Sequence, residues 1–208
     1  MTADGQLRLL VAAILADDTA AVGHQLAAAP DLAKAAFQTG AERQSPETYF
    51  LPEIERYIYA GDTALHIAAA AYRPSIAEAL LAAGANVRAR NRRGAEPLHA
   101  AAVGNPNADR WNAQAQVETL ICLIQAGADP NTMDKDGATP LHRAVRTRCA
   151  AAVRALIAHG ADPACRNKGG STPLALARVA SGWSGGAGTP AARAEQADII
   201  AYLESLPA

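Results

Sequence analysis

Apolar residues near the start of the chain recur at intervals of three and four: Leu10, Ala13 and Ile14, then Val22 and Leu26, on either side of the polar pair Asp17-Asp18. That spacing places side chains on one face of a helix, so residues 7–37 predict two short helices joined at the aspartates. From Tyr49 to Tyr59 the pattern partly alternates between apolar and charged positions, through Ile54, Arg56 and Ile58, and predicts a short extended arm or hairpin. Near the far end Ile199, Ile200, Leu203 and Leu206 share one helical stripe, as expected of a closing outer helix.

Between these ends the pattern repeats. Gly61-Asp-Thr-Ala-Leu-His66 aligns with Gly94-Ala-Glu-Pro-Leu-His99, Gly137-Ala-Thr-Pro-Leu-His142 and Gly170-Ser-Thr-Pro-Leu-Ala175, with glycines 33, 43 and 33 residues apart. A second signature follows in Leu80-Leu-Ala-Ala-Gly-Ala-Asn86, Leu123-Ile-Gln-Ala-Gly-Ala-Asp129 and Leu156-Ile-Ala-His-Gly-Ala-Asp162. Each signature has a physical reading. Thr63, Thr139 and Thr172 stand where a hydroxyl can cap free backbone N–H groups, and Pro140 and Pro173 occupy an early helical position that needs no donor. Gly84, Gly127 and Gly160 follow an apolar pair, where a left-handed residue closes a helix without a Cβ penalty. The polar stretch before the next Thr-Pro suits a tight turn, so each unit reads as helix, turn, helix, hairpin.

This arrangement resembles the ankyrin repeat, whose T-P-L-H-x-A and G-A-D-x-N motifs stand here as Thr139-Pro-Leu-His-Arg-Ala144 and Gly127-Ala-Asp-Pro-Asn131. The resemblance covers residues 61 to about 178 and departs from the pattern at Ala64, at Ala175 and in insertions between the helices of the second and fourth units. It implies an all-α fold, an ankyrin-repeat solenoid of helix-turn-helix units with short β-hairpin loops. The expected division is a degenerate helical cap and arm over residues 1–60, then four ankyrin-like repeats at 61–93, 94–136, 137–169 and 170–208, in one continuous domain. An acidic first segment suits a cap, because the end units of a stack need a polar outer face.

Composition sharpens this picture. Half of the residues are hydrophobic while only 4% are aromatic, and alanine runs such as Ala68 to Ala71 and Ala100 to Ala102 suit helices in close approach. Cys122, Cys149 and Cys165 are widely separated and form no C-x-x-C pair, which reads as buried thiols in a reducing compartment. Leu9 to Ala16 is a short apolar run without a basic leader and reads as a helix rather than a signal segment. No apolar stretch approaches the ~20 residues that span a bilayer. A soluble, cytoplasmic monomer without cofactors is therefore expected.

Catalytic and metal motifs fail on context. His66, His99 and His142 recur at one repeat position, but zinc needs three or four converging ligands and no cysteine or carboxylate spacing supplies the rest. The resemblance instead implies that this histidine bonds to the neighbouring hairpin. Gly182-Trp-Ser-Gly-Gly186 matches the nucleophile-elbow pattern, yet the last histidine, His159, precedes Ser184, and no strand leads into it. The same run lacks the G-K-[ST] ending of a phosphate-binding loop. No enzyme is expected.

The net charge of −1 conceals an asymmetry: residues 1–62 carry net −5 and residues 63–178 net +6. In proteins resembling this one, partner contacts come from beside the hairpin glycine and from the pair that follows the Ala-Ala of the first helix. Those places hold Arg90, Arg92 and Arg93, then Lys135 with Asp136, Arg146 with Thr147, and Arg166 and Lys168, most of them cations, with Arg88, Arg148 and Arg73 nearby. Repetition would line them along one concave face, where their potentials add and attract an acidic protein. Trp111 and Trp183, one in each insertion, are candidate aromatic anchors. The alternative is a nucleic-acid binder using the arginines on phosphates, but the pI near 6.5 and the lack of aromatics among them argue against it.

Overall fold

The computed structural model describes residues 3–42, 47–106, 108, 111–179 and 189–207. Helices α1 (Ala3–Leu15) and α2 (Thr19–Ala28) form where the first apolar stripe lies, and Leu10, Ile14, Val22 and Leu26 are buried. Asp17 takes a left-handed conformation at the junction, with φ of 58°, and the Asp18 carboxylate caps α2 by accepting the Ala21 N–H at 2.8 Å.

Paired helices follow. They are α3 (Ala64–Ala70) with α4 (Pro74–Ala82), α5 (Pro97–Ala101) with α6 (Ala113–Gln125), α7 (Pro140–Arg146) with α8 (Ala150–Ala158), and α9 (Pro173–Arg178) with α10 (Pro190–Glu204). Thr139 and Thr172 cap their helices through side-chain oxygens that accept from His142 N and Ala175 N, and Pro140 and Pro173 sit in the first turn. Gly84, Gly127 and Gly160 all have positive φ just past a helix end.

The short first helices stack on one another, α1 on α3, α3 on α5, α5 on α7 and α7 on α9. The second helices stack in a parallel layer, α2 on α4, then α6, α8 and α10. Close approach within the inner layer depends on small side chains. Ala64, Ala68, Ala69, Ala101, Ala102 and Ala144 are fully buried there, beside Leu65, Leu98 and Leu141. Ile199 and Leu203 of α10 are buried against α8 and α9, with Ile200 and Leu206 partly so. Of the cysteines only Cys149 is buried; Cys122 and Cys165 are partly exposed, contrary to the expectation of three buried thiols.

The segment between α2 and α3 positions the arm. Phe37 is buried and pairs with the chain before α3, donating its N–H to Asp62 O at 2.9 Å and accepting from Gly61 N at 2.8 Å. Strands β1 (Phe50–Leu51) and β2 (Arg56–Tyr57) then form an antiparallel hairpin in the register Phe50 to Tyr57 and Leu51 to Arg56. Ile58, buried at its base, donates to Tyr49 O and accepts from Ala41 N, both at 2.8 Å. The sequence alternation was thus a genuine hairpin. Its contacts lie across the first two repeats, a placement that the alternation alone did not indicate.

Candidate interaction surface

The hairpins that join successive repeats stack tip to tip through backbone hydrogen bonds. Arg92 N donates to Ala60 O at 2.7 Å, Lys135 N to Arg93 O at 3.0 Å, and Lys168 N to Asp136 O at 3.0 Å. Close approach requires glycine at the tip: a Cβ on Gly137, whose φ is 73°, would lie 2.8 Å from Lys168 N. Each hairpin is also tied from below by the recurrent histidine. His66 Nε2 bonds to Ala95 O at 3.1 Å, His99 Nε2 to Ala138 O at 3.0 Å and His142 Nε2 to Ser171 O at 3.0 Å. Their Nδ1 atoms accept the backbone N–H groups of Thr63, Glu96 and Thr139. Each ring is therefore the neutral Nε2–H tautomer, because an N–H can only donate and a carbonyl can only accept. Burial depresses all three pKa values, His99 to about 3, where the charge of Arg143 adds to the effect.

Backbone stacking orders the candidate cations. Arg92, Arg93, Lys135 and Lys168 are exposed on consecutive hairpin tips. Arg92 and Arg93 both lean on the Tyr59 ring, with guanidinium carbons 5.5 and 5.4 Å from its centroid. Arg92 also bonds to Ala41 O and lies 3.7 Å from Glu42, while Arg93 lies 3.8 Å from Asp136. Arg146 and Arg73 line the groove beneath the arm, and Arg73 pairs with Asp17 at 3.3 Å.

Other candidates are engaged in holding the repeats together. Arg90 reaches the buried Glu96 carboxylate at 3.0 Å and Thr132 Oγ1 at 3.0 Å. Glu96 stands where the other units have threonine, and its buried charge needs this partner. Arg88 donates to Gly127 O at 3.0 Å and Arg166 to Gly170 O at 2.8 Å, so both brace backbone carbonyls while remaining exposed.

Arg148 requires correction. It is only 5% exposed, with φ of 58° in the turn between α7 and α8, and its Nε donates to Gln196 on α10 at 3.2 Å. A left-handed residue at the turn cannot carry on the α7 face of Arg146, and the side chain is directed into the next repeat instead. Trp111 is half-buried, with its indole N–H donating to Gln116 Oε1 on α6 at 3.0 Å, and so it folds back against the core while lining the groove. Trp183 and the Gly182 to Gly186 motif lie outside the described residues.

The groove itself, about 640 Å³, lies between the arm and the inner helices. Two arginines absent from the sequence-derived set converge on it. Arg56 on β2 donates to Ala100 O at 3.3 Å across the gap, and Arg143 on α7 bonds to Asp134 at 2.7 Å. Burial lowers the Arg56 pKa, and the Arg143 charge lowers it further. Asn105 from the second-repeat insertion donates to Glu55 at 3.4 Å and helps hold the arm tip over the groove. The strand period carried a signal for Arg56, since positions 54, 56 and 58 share one face and Ile58 is buried. Arg143 is concealed inside the Thr-Pro-Leu-His motif, one helical turn before Arg146.

Among the described residues, no helix is long and apolar enough to cross a membrane. A search of curated proteins returned no match. The family profile described as ankyrin repeats (many copies) matches residues 123–177, and the profile described as ankyrin repeat matches residues 60–92. These matches fall on helix pairs with the stacked hairpins and histidine ties described above, and the chain is accordingly an ankyrin-repeat protein.

Proposed function

We infer that this chain is a non-catalytic interaction module whose cationic hairpin and groove surface receives an acidic segment of a protein partner. Ankyrin repeats generally mediate protein–protein interaction, and the family supports that coarse role. The observation that carries the finer reading is the row of exposed cations on consecutive tips, Arg92, Arg93, Lys135 and Lys168, held in sequence by hairpin-to-hairpin hydrogen bonds. Like charges fixed side by side on one scaffold sum their fields and favour an anionic partner. Asp136 interrupts the row, which favours a segment that matches the pattern over a uniform polyanion.

The test is affinity capture from lysate of the source organism with wild type, Arg92→Glu/Arg93→Glu and Lys135→Glu/Lys168→Glu, with and without nuclease. A protein retained by wild type, lost by both reversals and indifferent to nuclease is the expected result. Capture undiminished by either reversal, at unchanged helical circular dichroism, would overturn the reading. Loss of all capture on nuclease treatment would replace the protein partner with nucleic acid.

A further inference from the structure

The arm forms one wall of the groove over the inner helices. Its tip carries Arg56 over the inner helices, and the guanidinium meets a backbone carbonyl, Ala100 O, rather than a carboxylate. Among the described residues Arg56 makes no ion pair. A charged group held in a half-enclosed space without an ion pair is poorly compensated: burial and the nearby Arg143 charge both disfavour its charged form, and Asp62, Tyr72 and Tyr59 offset this only in part. Arg143 has a deficit of its own. Its Nη2 is engaged by Asp134, but its Nε is buried and meets no acceptor. Both residues line the same cavity.

The acids of that cavity are already committed. Asp62 accepts from Tyr59 N at 2.7 Å and Asn91 Nδ2 at 2.8 Å, Asp134 accepts from Arg143, Asp136 N and Ala138 N, Glu55 accepts from Asn105, Asp136 lies 3.8 Å from Arg93, and Glu53 is engaged as well. The walls near the two arginines are aromatic: Tyr57 and Tyr59 on the arm, Tyr72 and Trp111 opposite. At about 640 Å³ the space is of the size that accommodates a compact ligand or a few side chains, about 300–1,000 Å³, and is too confined for a folded domain.

We propose that the cavity under the arm receives a single Asp or Glu side chain from an extended stretch of the protein partner, with Arg56 and Arg143 as its recognition groups. A carboxylate is planar and presents two acceptor oxygens, which suits two guanidinium groups on one cavity, Arg56 bonded to a carbonyl but to no carboxylate and Arg143 with its Nε unbonded. The arm roofs the groove, so the segment lies extended beneath it with neighbouring side chains against the tyrosines and Trp111. This deepens the acidic-partner reading and rests on it.

The experiment is selection of a random 12-residue displayed peptide library on the full chain, in parallel with Arg56→Gln, Arg56→Lys and Lys135→Glu/Lys168→Glu. Wild type is expected to enrich peptides sharing one acidic position. A synthetic consensus peptide should lose about tenfold or more in affinity on Arg56→Gln, recover part of it on Arg56→Lys, and lose binding when its acidic residue becomes the amide. Acidic peptides that bind Arg56→Gln as they bind wild type, yet fail on Lys135→Glu/Lys168→Glu, would overturn the cavity and leave the hairpin row as the acceptor. Enrichment without any acidic position would overturn both readings. Unchanged circular dichroism and unfolding midpoint in the Arg56 variants ensure that lost binding is not lost folding.

Discussion

Acidification should weaken this fold through the same histidines that tie its hairpins. His99 is fully buried, accepts Glu96 N–H through Nδ1 and donates from Nε2 to Ala138 O. Protonating Nδ1 would set a donor against a donor, and the folded-state pKa is pushed down to about 3. In the unfolded chain histidine titrates near 6.5. Because the folded value is the lower one, the stabilising contribution is present above about pH 6.5, declines as pH falls and is fully lost below about 3. At pH 5 the unfolded state holds the proton while the native state does not, and the linkage relation gives a loss of about 2 kcal/mol relative to pH 7 from His99 alone. That is a substantial part of a typical stability of about 5–15 kcal/mol. His66 and His142 shift in the same direction and add to the loss. Asp134 falls outside this window: burial opposes its ionisation, but the bond and charge of Arg143 prevail and hold its pKa below the ordinary aspartate value. The assay is urea unfolding by circular dichroism at pH 7, 6 and 5 for wild type and His99→Gln. The variant should be less stable at pH 7, yet its further loss down to pH 5 should be smaller than that of wild type by about 2 kcal/mol. Equal losses in the two proteins would refute the reasoning.

Two further predictions concern the scaffold. Gly127→Ala places a methyl in open space at φ of 98° and should cost about 1–2 kcal/mol of backbone strain, whereas Gly137→Ala also collides with Lys168 N and should cost at least about 1 kcal/mol more in thermal unfolding. Equal costs would deny the tip-to-tip contact its structural role. Arg90→Ala should destabilise by about 1–3 kcal/mol by leaving the Glu96 carboxylate buried without its cation, and Glu96→Thr in the same chain should restore most of it by supplying the hydroxyl cap used at Thr139. Additive losses in the double variant would show that the pair is not coupled.

The repeat was legible because it is local chemistry. Capping threonines, first-turn prolines, closing glycines and the apolar pair before them are each fixed by backbone requirements within a few residues, and they recur. Cation positions on the tips follow from the same register. What escaped the sequence depends on distant contacts. Arg56 meets a carbonyl 44 residues away, and nothing local states which repeat the arm crosses. Arg148 stands close to Arg146 in sequence, but residues two apart on a helix do not share a face and this one lies beyond the helix end. Arg90 reads as a surface charge until Glu96 is found buried beside it, a cap position where the unit departs from threonine. The indole of Trp111, similarly, is oriented by Gln116, a polar residue that is itself fully buried because its amide bonds Ala101 O at 2.9 Å.

The most direct test of the central claim is an amide chemical-shift titration of the ¹⁵N-labelled chain with the acidic segment of a captured partner. The account predicts that shifts cluster at Arg56, at Arg92 and Arg93, at Lys135 and at Lys168, on the arm, groove and hairpin tips. Shifts confined to the second-helix layer, α4, α6 and α8, with these residues unmoved, would contradict it.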